Sequence, residues 1–163
     1  MTIFGKRLSE YAGFAKFFLI LIVAVGVARL ALSLAGVPSS IDRWFSITVV
    51  YVIGVIYYSV RIHTSGFGSY KQILPVNALL SLAGQAVVIA AILIAAISGT
   101  DNIFSAPEFS GAFYGRPLVH ISGHLIVGVI GFPLVGWLIG AIIMFVVKKV
   151  APGEKGYASA AKA

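Results

Sequence analysis

Four long apolar segments dominate this chain, at residues 14–36, 45–62, 74–98 and 118–149. A helix needs about 20 mostly apolar residues to cross a hydrocarbon core of ~30 Å. Three of the segments reach that length; the second is short for a span and is expected to end at Arg61 or His63, whose polar ends reach the inner interface. That second segment is rich in strand formers: Thr48, Val49, Val50, Tyr51, Tyr57 and Tyr58. In lipid an open strand leaves its backbone groups unpaired, so helix is the expected state there too. The expected fold is an all-α integral membrane protein. It is an antiparallel four-helix transmembrane bundle with a kinked, overlong fourth helix, forming one domain over residues 1–150. A flexible cytoplasmic tail follows over residues 151–163.

The chain has 163 residues, of which 60% are hydrophobic and 10% charged. Soluble domains sit near ~25% charged, and so much apolar surface exceeds what a soluble core of this size can hide. The lipid bilayer is therefore the first partner. The absence of cysteine excludes disulfides, thiolate metal sites, iron–sulfur clusters and cysteine nucleophiles. The first apolar segment reads as a retained span rather than a cleaved leader: it exceeds the ~7–15 residues of a leader's apolar region and contains Arg29.

A net charge of +7 would suggest nucleic acid for a soluble protein. Here the distribution matters more. With the N-terminus inside, Lys6, Arg7, Lys16, Arg61, Lys71, Lys148, Lys149, Lys155 and Lys162 share one face, which is nine of the 12 basic residues. Arg43 and Arg116 lie outside, and Arg29 lies within a span. This positive-inside bias sets both termini in the cytoplasm and the chain in the plasma (inner) membrane. The basic face then reflects topology and anionic lipid, with no nucleic acid.

Residues 1–13 read as an amphipathic lead-in, with Ile3, Phe4, Leu8 and Tyr11 on one side of a helix. Ala24, Ala28, Ala31 and Ala35 form a small-residue stripe on span 1, and Gly136 and Gly140 a GxxxG on span 4. Both patterns allow close helix approach. The loop from Thr64 to Tyr70 holds Gly66 and Gly68 but lacks the spacing of a phosphate-binding loop. The outer loop from Gly99 to Pro117 keeps Phe104, Phe109, Phe113 and Tyr114, which implies that it folds back on the membrane face. Span 4 covers about 48 Å at 1.5 Å per residue, well beyond the hydrocarbon core. Pro133 sits in its middle and removes the donor of the Val129 carbonyl, so a bend is expected there.

Few residues can carry chemistry. His120 and His124 are four apart and face one side of a helix. They are half of a metal site, and Asp101, Glu108 and Asp42 lie on the same outer side. The intervening residues lack the glutamate of HExxH, which excludes a zinc protease of that type. A bis-histidine haem needs axial ligands from opposite sides. His120 and His124 share a helix and His63 lies about a membrane away, so haem would need another ligand or a second protomer. Arg29 within span 1 is a functional candidate by position. Its expected partner is Asp42, Asp101 or Glu108, with snorkelling toward the outer interface and solute binding as alternatives. Gln85 and Asn77 on span 3 should find hydrogen bonds on neighbouring helices.

These observations carry three functional expectations. The leading one is a non-enzymatic membrane subunit packing against other chains through its small-residue faces, as a homo- or hetero-oligomer. The second is a redox protein binding a metal ion or haem through His120 and His124. The third is a small transporter of a lipophilic or anionic solute, with Arg29 as the anion contact. An ion path through a single protomer finds too few polar groups on spans 2 and 4.

Overall fold

The computed structural model describes residues 2–151, so the tail expected over 151–163 lies outside the described residues except for Ala151. Residues 2–7 differ from the helical lead-in expected of them. Strand β1 (Thr2–Ile3) pairs antiparallel with β2 (Lys6–Arg7) around a turn in which Phe4 and Gly5 both have positive φ, 49° and 84°. This is the twist that closes a two-residue hairpin. Contacts distant in sequence hold it. The Tyr11 hydroxyl donates to the Ile3 carbonyl at 2.9 Å, the Gln72 amide donates to the Phe4 carbonyl at 3.0 Å, and the Lys6 ammonium sits over the Phe67 ring. A helix over the same residues would give up all three.

Four helical stretches are long and apolar enough to cross a membrane: Leu8–Leu34, Ser39–Thr64, Tyr70–Ser98 and Pro117–Val150. The first is a single helix, α1 (Leu8–Leu34). The second begins with a short turn, α2 (Ser39–Asp42), and continues as α3 (Ile47–Thr64). Ser46 caps α3 by accepting the Val49 N–H at 3.3 Å. The third is α4 (Tyr70–Ser98), which stops at Gly99, where a φ of 70° suits glycine. After the short helix α5 (Pro107–Ser110) and a 3-10 turn at Gly111–Phe113, the fourth stretch begins.

The fourth stretch is three elements rather than one overlong α-helix: α6 (Pro117–Gly123), a π-helical segment (His124–Gly131) and α7 (Phe132–Val150). Within the π segment the Phe132 N–H bonds to the Val127 carbonyl, five residues back. The next donor in that register belongs to Pro133, which has no N–H. In that register the Gly128 carbonyl lacks its donor, as the Val129 carbonyl does in the α-helical spacing expected from the sequence. Ser81 on α4 donates its hydroxyl to the Gly128 carbonyl at 2.6 Å, and Tyr51 on α3 donates to the Phe132 carbonyl at 2.8 Å.

The helices form a bundle with α4 at its centre, in contact with α1, α3, α6, the π segment and α7. Helix α3 packs on α1, α4 and α7. The core lies toward the end that holds the termini. Tyr11, Ala15, Phe18 and Ile22 form a narrow buried stripe on α1, meeting Val55, Tyr58 and Ile62 of α3, Ile73, Val76 and Leu80 of α4, and Met144 of α7. The large side chains on the opposite faces, such as Phe17, Ile20, Leu138 and Ile142, are exposed, as lipid-facing residues are.

Gly136 and Gly140 face this core. A Cβ on Gly136 would lie 2.5 Å from the Tyr51 hydroxyl, and one on Gly140 would lie 2.5 Å from Ser59 Oγ and 2.8 Å from Ile73 Cγ2. The GxxxG therefore lets α7 approach its own α3 and α4. Ala24 and Ala31 on α1 remain exposed, with Ala28 half-buried. Gly140→Leu is expected to lower stability in detergent by about 1–3 kcal/mol through overpacking. At Gly123 a Cβ meets nothing within 4 Å, and Gly123→Leu should stay within about 0.5 kcal/mol of the parent. Thermal unfolding of the two variants separates these outcomes; equal midpoints would contradict the internal packing of α7.

Candidate functional site

Helix α3 lies along α7, but no comparable packing joins it to α6 or the π segment. The helices part toward the end that carries the Gly99–Arg116 loop, and an open cavity of about 710 Å³ fills the gap. Its floor is α4, from Leu80 to Val88. Ile47, Thr48 and Tyr51 form the α3 side, while His120, Gly123, His124 and Val127 form the opposite side. Phe104, Glu108, Phe109 and Phe113 roof it, and Arg29 reaches in from α1. The roof is anchored: the Asn102 amide donates to the Ala91 carbonyl at 2.8 Å, and the Ile103 N–H donates to Ser33 Oγ at 2.8 Å.

The structure joins three of the polar residues singled out in the sequence. His124 Nδ1 lies 2.7 Å from Gln85 Oε1, and His124 Nε2 lies 3.2 Å from His120 Nε2. One tautomer satisfies both contacts: His124 Nδ1–H donates to the Gln85 oxygen, and His120 Nε2–H donates to the free lone pair of His124. The His120 ring also stacks on Phe113, with centroids 5.6 Å apart. Gly128 makes the arrangement feasible, because a Cβ there would collide with the Gln85 amide. Gln85 thus has its interhelical partner. Asn77 is fully buried near Gly136, and among the described residues neither amide atom finds a hydrogen bond.

Arg29 has Asp42 as its counter-charge, with Nε 3.7 Å from Oδ1 and the guanidinium over the Phe104 ring. Asp42 is 1% exposed, and among the described residues neither of its carboxylate oxygens accepts a hydrogen bond. The other two acids sit elsewhere. Glu108 lines the cavity and makes no ion pair among the described residues. Asp101 accepts the Ser105 hydroxyl at 3.0 Å and the Tyr114 hydroxyl at 3.1 Å. The bond to Asp101 holds the Tyr114 phenol above its ordinary value. Asp101 and Tyr114 border a second, smaller cavity of about 250 Å³, which shares Phe113 and His120 with the first.

The two imidazole Nε2 atoms converge at a separation close to that of neighbouring ligands on a tetrahedral metal with bonds of ~2.0–2.1 Å. The same separation is that of the hydrogen bond just described. Among the described residues no group of three His, Cys, Asp or Glu side chains is placed to hold a metal ion. Reasoning from sequence missed Ser81 and Gly84. A signal for the first existed: Asn77, Ser81 and Gln85 recur every four residues and share one face of α4. No family model, curated protein or solved structure matches this chain.

Arg29→Leu leaves the buried Asp42 carboxylate without a counter-charge and is expected to cost about 3 kcal/mol, whereas Arg29→Leu with Asp42→Leu recovers most of that loss. Unfolding of the two single variants and the double variant measures the coupling; additive losses would deny the pair. The raised Tyr114 value means that its contact to Asp101 holds at neutral pH and is lost as pH rises through the phenol's titration. In Asp101→Asn that titration should fall back toward ~10. Phenolate absorbance of the variant minus the parent reads the change, and superimposable curves would argue against the contact.

Proposed function

We propose that this is a non-enzymatic membrane protein that binds one small amphipathic molecule in the cavity at the loop end of its bundle. The carrying observation is that cavity. It joins a charged and hydrogen-bonding set, Arg29, Glu108, Gln85, His120 and His124, to a roof of three phenylalanines within helices fit to span a membrane. Concave, mostly apolar sites with a few convergent polar groups are the usual form of a small-molecule site. The described residues hold no nucleophile–base pair aimed into the cavity, which favours binding or transfer over covalent chemistry.

The placement that accompanies this reading is an antiparallel bundle in the plasma (inner) membrane. Both termini are cytoplasmic and the Gly99–Arg116 loop is outside, with a bend where the π segment meets Pro133. The distribution of Lys and Arg in the sequence supports it. A second reading, assembly with other membrane chains, is favoured by one observation: Ala24 and Ala31 present an exposed small-residue face on α1. The glycine pair on α7 lends it less, because its close approach is made within the chain.

The test is to purify the protein in mild detergent, extract it, and analyse bound small molecules by mass spectrometry, with absorption and elemental analysis of the same sample. One amphipathic species near equimolar amounts is expected. Gly123→Phe fills the cavity from a position with free space and should lower its retention roughly tenfold, ~1.4 kcal/mol. A stoichiometric metal or haem lost in His124→Ala would replace this reading with a redox one. An empty protein with stoichiometric partner chains would favour assembly.

A further inference from the structure

We propose that the occupant is the zwitterionic headgroup of a phospholipid, entering sideways from the surrounding leaflet between α3 and α6. This deepens the ligand-binding reading and rests on it. The first argument is access. Phe104, Phe109 and Phe113 line the loop end of the cavity, Phe109 and Phe113 being also exposed at the surface, and the loop is tied down through Asn102 and Ile103. Between Thr48 of α3 and Gly123 of α6 the flanking helices are not packed together. That gap lies within stretches fit to span a membrane, and Val52, Val119 and Ile126 nearby are exposed apolar residues. In a bilayer this gap would open toward acyl chains, so a lipid would need no passage through water to reach it.

The second argument is charge. The cavity presents one cation and one anion. Arg29 Nε lies 3.7 Å from Asp42 Oδ1 and makes no hydrogen bond among the described residues, while the residue lines the cavity. A planar guanidinium suits phosphate oxygens. Glu108 carries no ion pair among the described residues and stands in the same roof as Phe109 and Phe104. A carboxylate beside aromatic faces suits an ammonium group. A phosphate joined to an ammonium by a short linker complements both charges at once, and its acyl chains can stay between α3 and α6.

The experiment uses the full chain, delipidated in detergent and titrated with single lipids under native mass spectrometry. The probes are a phosphoethanolamine lipid, a phosphoglycerol lipid of the same acyl chains, and soluble phosphorylethanolamine as competitor. One phosphoethanolamine lipid should be retained, roughly tenfold more tightly than the phosphoglycerol lipid. Glu108→Gln should erase that preference, Arg29→Lys should weaken both lipids, and Gly123→Phe should abolish retention. The soluble competitor should displace little. Equal affinity for the two lipids, unchanged in Glu108→Gln, overturns the headgroup assignment and leaves the cavity a binding site. Displacement by phosphorylethanolamine at matching concentration overturns entry from the leaflet. Retention of a different small molecule refutes the lipid while sustaining the binding reading. Absence of any cavity-dependent ligand ends both.

Discussion

Where lipid replaces water, a backbone group released from its helix must find its partner inside the protein. The hydrogen bond from Ser81 to the Gly128 carbonyl meets that requirement at the place where the fold most departs from regularity. Pro133 and the π register together orphan that carbonyl, and Tyr51 supports the adjacent Phe132 carbonyl from the other neighbouring helix. The consequences reach both ends of the fourth stretch. Below the break, α7 runs close against α3 and α4 through Gly136 and Gly140. Above it, α6 keeps contact with α4 but leaves α3, and the cavity occupies the space so created.

The same break sets the site chemistry. A π turn alters which residues of a helix share a face, and here it brings His124 to Gln85 on α4 while Gly128 leaves room for the amide. His120, on the last regular turn before the break, closes the chain of contacts with one further hydrogen bond and a stacked phenylalanine. Arg29 and Asp42 solve a separate problem: two charges within apolar surroundings neutralise each other at the edge of the same space. Buried ion pairs of this kind contribute little net stability. Their presence beside an open cavity is more easily understood through what the cationic side can reach.

Much of this was legible in the residues, and the limits have physical causes. The four apolar stretches declare themselves by length and composition alone, because the bilayer imposes a minimum on both. The helices extend past the apolar stretches at some ends, α1 beginning at Leu8 within the expected lead-in. The N-terminal hairpin was hidden because its stabilising partners, Tyr11, Phe67 and Gln72, are remote in sequence or act through hydrogen bonds that leave no periodicity. Pro133 announced a break but not its register, so the Gly128 carbonyl was not among those expected to lose a donor. His120, His124 and Gln85 were each visible as polar residues in apolar surroundings. That they meet depends on the π segment and on Gly128, which spacing along a regular helix does not encode.

Phe113 and His120 stand between two hollows, with the larger space on one side and the smaller space beside Asp101 and Tyr114 on the other. Their rings stack on one another, and Phe113 ends a short turn that begins at Gly111 and is followed by Gly115, both glycines at positive φ. Neither hollow has a volume independent of the other. A rotation of the Phe113 ring that enlarges one diminishes its neighbour, and withdrawal of the ring merges them. The roof of this bundle is in that sense a partition, whose position an occupant on either side would set.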